Sequence, residues 1–223
     1  MITELIDKTD SFEMIRDQIA TILATEVAAQ MQLATDAGKD PNDWKLRVFK
    51  ERSNPWEQLL NEQVDKSPII NVWFDNSNFD PGAGSTVERQ KTEGVFNIDC
   101  YGFGLSEDEP GGGHNPGDRA AALEVHKAIR LARNILMAGT YTYLGLRGLV
   151  WQRWPQSITV FQPQLDGRQM QQIVGARIAL RVVFNEFSPQ VQTETLELVS
   201  VKVDELETGE ILVNADYQYP LTP

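Results

Sequence analysis

The sequence predicts an α+β fold: a mainly antiparallel sheet flanked by two long helices, with a C-terminal hairpin or arm. Three observations predict it. Two stretches, 10 to 35 and 119 to 138, repeat apolar residues at helical spacing. Most of the other patterned stretches alternate in the manner of strands. Several of those strands follow one another directly toward the C-terminal end, and that segregation favours an antiparallel sheet with helices packed on it.

The elements follow in chain order. Asp10 is a good N-cap, and Glu13 completes a capping-box pattern. Phe12, Ile15, Ile19, Ile22, Leu23, Val27 and Met31 then make one stripe. "DAGKDPND" (36 to 43) ends the helix, with Gly38 as C-cap and Pro41 beyond it. "WKLRVFKE" (44 to 51) reads as a strand, and "NPWEQLLNEQ" (54 to 63) as a short helix with Pro55 at its first position. "PIINVWFDN" (68 to 76) is a strand, and 79 to 90 is a turn-rich, exposed stretch. In the strand 93 to 104, Phe96, Ile98 and Cys100 point one way, Asn97 and Asp99 the other. "LSEDEPGGGHNPGD" (105 to 118) follows as an acidic loop, and Asp118 caps the second long helix. Its stripe is Val125, Ile129, Ala132 and Leu136, kept slim by Ala120, Ala121, Ala122 and Ala128. Stretches 149 to 163 and 171 to 187 are extended. In the second, Ala176, Ile178, Leu180, Val182 and Phe184 face opposite to Arg177, Arg181 and Asn185. Residues 194 to 203, 204 to 210 and 211 to 219 read as strand, turn and strand.

The 223 residues suffice for one fairly large domain, and the patterning divides them into a body, 1–203, and a hairpin or arm, 204–223. Hydrophobic residues make up 41% and charged residues 23%, as in a globular protein with a sizeable core. The net charge of −12 argues against wrapping nucleic acid or binding an anionic membrane surface. It leaves room for DNA passing an acidic wall that repels phosphates. The N-terminus has no signal-peptide pattern and no stretch approaches a spanning helix, so synthesis in a reducing cytoplasm is expected. Cys100 is the only cysteine, which excludes an intramolecular disulfide and a thiolate zinc site.

Candidate chemistry is sparse. The glycines of 105 to 118 invite a phosphate cradle, but Glu107, Asp108 and Glu109 would oppose a phosphate, and the Walker lysine is absent. His114 with Asp108 and Asp118 is a weak metal set. No nucleophile elbow or triad-like grouping is present, so no cofactor, metal or catalytic residue is expected. The basic residues Arg119, Lys127, Arg130 and Arg133 lie broadly on one side of the second helix. They are either a solvated face or a cationic surface meeting a neighbouring copy, as head-to-tail ring closure requires. Of the five tryptophans, most are expected to cover core edges, while Trp151 and Trp154 of "WQRWPQ" are the best candidates for exposure at an interface.

Between about residues 10 and 203, the chain resembles the neck and tail-terminator (tail-completion) proteins of tailed bacteriophages. The resemblance rests on "RVFKERSNPW" followed by "PIINVWFDN", the strand "GVFNIDCYGFG", the helix "DRAAALEVHKAIRLARNIL" and the extended "QQIVGARIALRVVFNEFSP". It implies a small α+β domain assembling as a ring, usually a hexamer. Such a ring caps the tail tube or sheath and joins it to the neck and head connector in the virion. DNA passes through without sequence-specific binding. The acidic loop and the C-terminal residues depart from the family. Glu107, Asp108 and Glu109 are then expected to face the channel or a neighbouring ring, and Tyr217, Tyr219 and Pro220 to act in a docking arm. The rival readings are a tail-tube or baseplate subunit and, in another class, a small-ligand or nucleotide-binding enzyme domain using the 105–118 loop.

Overall fold

The computed structural model describes residues 5, 7–60, 65–80, 86, 89–109, 113–163, 173–187, 198–204 and 211–218. The chain divides into two units, Met1–Pro189 and Gln190–Pro223. In the first, α1 (Ser11–Asp36), β1 (Arg47–Lys50), α2 (Glu57–Leu60), β2 (Ile69–Asp80) and β3 (Arg89–Phe103) come in order. They are followed by β4 (Glu107–Glu109), β5 (Gly113–Asn115), α3 (Gly117–Leu136), β6 (Val150–Phe161) and β7 (Ile173–Phe187). The fold is α+β around a five-stranded sheet of order β1-β2-β3-β7-β6, antiparallel except for β1 beside β2.

The helices are unequal: α1 has 26 residues, α3 has 20 and α2 only four. Both long ones pack on the same face. Ile70, Val72, Phe96, Ile98, Cys100, Ala176, Ile178, Leu180, Val182 and Phe184 share one core with Ile15, Ile19, Leu23, Val125, Ala128 and Ala132. Strand alternation puts every one of those sheet residues on one side. The Glu13 carboxylate accepts from Asp10 N–H at 3.1 Å, and Glu186 at the end of β7 accepts from Ser11 N–H at 2.9 Å, so the N-terminal end of α1 is fixed.

The helix–sheet approach explains "YGFG". A Cβ on Gly102 would lie 2.7 Å from Ala121 O, and one on Gly104 would overlap Ala121 N and Gly117 O. Glycine on the strand and alanine on the helix let two backbones touch. α3 accordingly begins at Gly117 with Pro116 in the N-cap position, not at 119 with Asp118 as cap. Ser106 Oγ accepts from Gly117 N–H at 3.0 Å and takes the capping role.

Other boundaries also move. Trp44 closes a 3₁₀ turn, Pro41–Trp44, whose first N–H, that of Asn42, donates to Asp40 Oδ1 at 2.9 Å, and the strand begins three residues later. The stretch 79 to 90 is not all turn. β2 runs to Asp80 and β3 starts at Arg89, with Asp80 opposite Lys91, so the hairpin extends as a ribbon beyond the core. The acidic stretch 105 to 118 contains the small hairpin β4–β5, with Asp108 opposite His114. Pro155 does not break β6, because β6 is an edge strand and bulges beside it.

The second unit holds β8 (Leu198–Asp204) and β9 (Ile211–Gln218), paired antiparallel from Leu198 opposite Gln218 to Asp204 opposite Ile211. The unit boundary therefore falls at 189/190 and not at 203/204, since the strand 198–204 belongs with the hairpin. Among the described residues β8 and β9 pair only with each other.

Candidate interaction face and groove

The sheet face opposite the long helices is polar and aromatic. Its residues are those that alternation places against the core-facing set: Trp73 on β2, Glu93, Asn97 and Asp99 on β3, Arg177 and Arg181 on β7, Trp154 and Phe161 on β6. Asp99 is its centre. It is 2% exposed and sits opposite Arg177, which grips it with two bonds, Nε to Oδ1 at 2.6 Å and Nη2 to Oδ2 at 2.9 Å. Trp73 Nε1 (2.9 Å) and Tyr101 O–H (3.3 Å) also donate to Oδ2. A buried carboxylate is costly unless its lone pairs are matched, and here four donors match them.

The guanidinium of Arg177 lies 4.8 Å from the Trp73 ring and 5.5 Å from the Phe161 ring. Gly175 makes room for Phe161, since a Cβ there would lie 2.7 Å from its ring. The motif repeats along the face: Arg181 stacks 5.3 Å from Trp154 and ion-pairs with Glu93, and Arg89 stacks 5.8 Å from Trp151. With the Asn185 amide oxygen turned toward them, it accepts from Trp151 Nε1 at 2.7 Å and Arg89 at 3.0 Å. Tryptophan and arginine together are the composition of interface hot spots.

One end of this face is walled into a groove of about 630 Å³. The parallel pairing of β1 with β2 requires a crossover, and residues 51–60 make it over the polar face. Leu59 anchors it against Ile69, Tyr101 and Ile173, and Trp56 packs 5.3 Å from Tyr101. Asn71 fixes the crossover by two bonds to Arg52: its Oδ1 accepts from the backbone N–H at 3.1 Å, and its Nδ2 donates to the carbonyl at 2.9 Å. Glu51 turns the chain at φ 49°, a left-handed conformation unusual for a side chain of this size. Its carboxylate holds that turn by accepting from Phe74 N–H at 3.1 Å and pairing with Arg16 at 3.3 Å. The opposite wall is Phe161, Gln162 and Pro163. Burial and the Asp99 charge raise the Tyr101 hydroxyl pKa, and burial first, then Asp99, raises that of Cys100.

The residues singled out in the sequence fall in separate places. Trp151 is 53% exposed and Trp154 is half-buried, and both lie on the polar face. Arg119, Arg130 and Arg133 are exposed on α3 within about 60° of one another at 3.6 residues per turn, and form no ion pair with the described residues. Lys127 lies off that stripe and pairs with Glu124 on its own helix at 2.9 Å. Leu123 and Met137 complete the stripe as exposed apolar residues. Glu107 and Asp108 are exposed, with Asp108 bound to His114 Nδ1 at 3.0 Å, and Glu109 ends β4. Tyr217 is in β9, and Tyr219 and Pro220 lie outside the described residues. Among the described residues no three His, Cys, Asp or Glu side chains converge as metal ligands.

The Asp99–Arg177 centre was missed in the sequence. Alternation assigns each residue to a face, but only the β3–β7 register brings together two residues 78 positions apart. The chain matches no model of a known protein family, and no curated protein sequence matches it.

Proposed function

We propose that the chain is a non-enzymatic ring subunit of a tailed-phage virion, seated at the head–tail junction, where it terminates the tail and joins it to the neck around the DNA channel. The observation that carries the reading is a segregation of charge. The unit Gln190–Pro223 holds seven carboxylates against Lys202 alone, a net of −6 within the chain's −12. On the body, the outward stripe of α3 presents Arg119, Arg130 and Arg133. Acidic and basic surfaces on different parts of one molecule form heterologous contacts, and these close into rings when the rotation closes.

The hairpin supports the same reading. A two-stranded sheet is marginal alone, and both outer edges of β8–β9 offer unpaired backbone groups among the described residues. Exposed Glu107 and Asp108 on β4 suit a surface past which DNA moves without adhering. The polar face, with tryptophan and arginine stacked in pairs, suits contact with neighbouring neck, tube or sheath proteins.

The test is the oligomeric state of the purified chain and its copy number in particles, by native mass spectrometry and electron microscopy. One closed ring at the neck is expected. Exchanging Arg130 and Arg133 together for Glu should release folded monomers with an unchanged circular dichroism spectrum. A monomer that never associates, in solution or in the particle, overturns the ring. Many stacked rings per particle would identify a tube or baseplate subunit instead.

A further inference from the structure

We propose that the groove bounded by Trp56, Trp73, Phe161 and Pro163 receives the proline tail of a neighbouring copy, residues 219–223 of "YQYPLTP", as an extended left-handed segment. The assignment rests on the ring reading and names one of its contacts.

The groove has the chemistry that such a segment needs. Recognition of polyproline II chains uses aromatic grooves that accept a preformed, hydrogen-bond-free backbone. Trp56, Trp73 and Phe161 are each half-buried and line the groove. Trp73 is pinned by its indole N–H to Asp99, and Phe161 by the space that Gly175 leaves. These rings are therefore in place before anything binds, and little ordering cost remains. Both lie beside the Arg177 guanidinium, which limits the separation of their centres to about 10 Å. Asp99 occupies Arg177 Nε and Nη2, and Nη1, which makes no hydrogen bond with the described residues, can donate to a peptide carbonyl.

The tail matches. Pro220 and Pro223 are three residues apart, one turn of polyproline II, so they share a face at about 9 Å separation. Each proline fixes its own φ and holds the preceding residue, Tyr219 or Thr222, extended. Charge agrees as well. At the groove rim Glu51 is matched by Arg16 and Asp99 by Arg177, while Arg52 forms no ion pair with the described residues. The unit that ends in the tail carries a net of −6, and Asp216 lies four residues before Pro220.

The probe is a synthetic peptide of residues 216–223, titrated into the full chain carrying Pro220→Ala and Pro223→Ala so that its own tail does not compete. Saturable binding is expected, read by tryptophan fluorescence and calorimetry. The same peptide with both prolines changed to alanine should bind at least tenfold more weakly. Phe161→Ala in the receptor should weaken binding by at least tenfold. Ser53→Trp, which obstructs the groove from an exposed position, does so without touching the sheet. Absence of saturable binding, or equal binding of the proline-free peptide, or unchanged binding to a folded Ser53→Trp chain, overturns the assignment. A photo-cross-linker at position 219, in rings mixed from heavy and light isotope copies, should give heavy–light products. Products confined to one isotope place the tail in its own copy's groove and overturn the neighbour assignment. Rings that persist while the peptide fails to bind refute the groove alone. Peptide binding to a chain that never forms rings refutes the ring alone.

Discussion

Gly104→Ala tests how the body is built, because the helix–strand contact it perturbs is backbone against backbone. A Cβ at this position would overlap Ala121 N and Gly117 O and approach Ala120 Cβ to 2.7 Å. None of these atoms is the far end of a flexible side chain, so α3 must shift from β3 to admit the methyl. Gly117 closes the same contact from the other side, since its own Cβ would lie 2.9 Å from Gly104 O. Overpacking typically costs about 1–3 kcal/mol, and a rigid backbone places this site at or above the upper end. For a unit of this size each kcal/mol lowers Tm by about 2–4 °C, so a fall of roughly 6–12 °C is expected by circular dichroism. Gly102→Ala should also destabilise but cost less, because its nearest backbone atom, Ala121 O at 2.7 Å, is less closely overlapped than the two backbone atoms at Gly104, and its next neighbour, Val125 Cγ2 at 2.9 Å, is a side-chain atom that can turn aside. Gly139→Ala is the control: nothing lies within 4 Å of a Cβ there, and its change should stay within about 0.5 kcal/mol. A Gly104→Ala chain that melts with the wild type would show that α3 does not approach β3 as described.

Two further outcomes follow from the polar face and the strand behind it. Arg177→Ala strands the buried Asp99 carboxylate and should cost about 3–5 kcal/mol, measured by urea unfolding; adding Asp99→Asn should recover much of the loss, because no charge then stays unmatched. At alkaline pH the folded state holds the Cys100 and Tyr101 protons more tightly than the unfolded chain, whose ordinary values are 9.0 and 10.0. The stability they contribute is therefore complete below those values and declines as pH rises past them, by about 1.4 kcal/mol per pH unit for each group. Cys100→Ala should move the onset from about pH 9 to about pH 10 in urea midpoints, and an unchanged profile would refute a buried, protonated thiol.

What was legible in the sequence was whatever burial imprints on it. The stripe Ile15, Ile19, Leu23 in α1 and the alternation Phe96, Ile98, Cys100 in β3 both report a face turned to the core, and both elements form as read. The polar phase of the same alternation correctly set Asn97 and Asp99, and likewise Arg177 and Arg181, on the face away from the helices. Where neither side of a strand is buried, no such imprint exists. The β2 side of the ribbon, Asn76 to Asp80, is mostly exposed, and its last two residues, Phe79 and Asp80, read as part of a turn-rich stretch although they pair with Thr92 and Lys91. The small hairpin β4–β5 was hidden for the same reason. Glycine was ambiguous too. In 105 to 118 it reads as freedom, but Gly117 is buried and marks contact, and only the partner Gly104 discloses which. Register is non-local, so neither the Asp99–Arg177 pair nor the crossover that walls the groove was visible.

The two proposed contacts also differ in what each can accomplish alone. A segment fixed by two prolines in an open groove buries little surface, and a stripe of three exposed arginines is screened by salt within a Debye length of about 8 Å. Either contact by itself is weak in free solution, because association must first offset the lost freedom of two whole molecules. In a closed ring that cost falls on assembly, and each further contact between neighbours forms at the high effective concentration set by the first. A short tail and a small cationic stripe are then sufficient, and neither needs the large apolar interface of an obligate dimer. The same coupling would make the proposed ring sensitive to either contact: removing the tail's prolines or reversing Arg130 and Arg133 should each shift rings toward monomers, and raising the salt should deepen the loss more in the proline variant, because that variant depends most on charge.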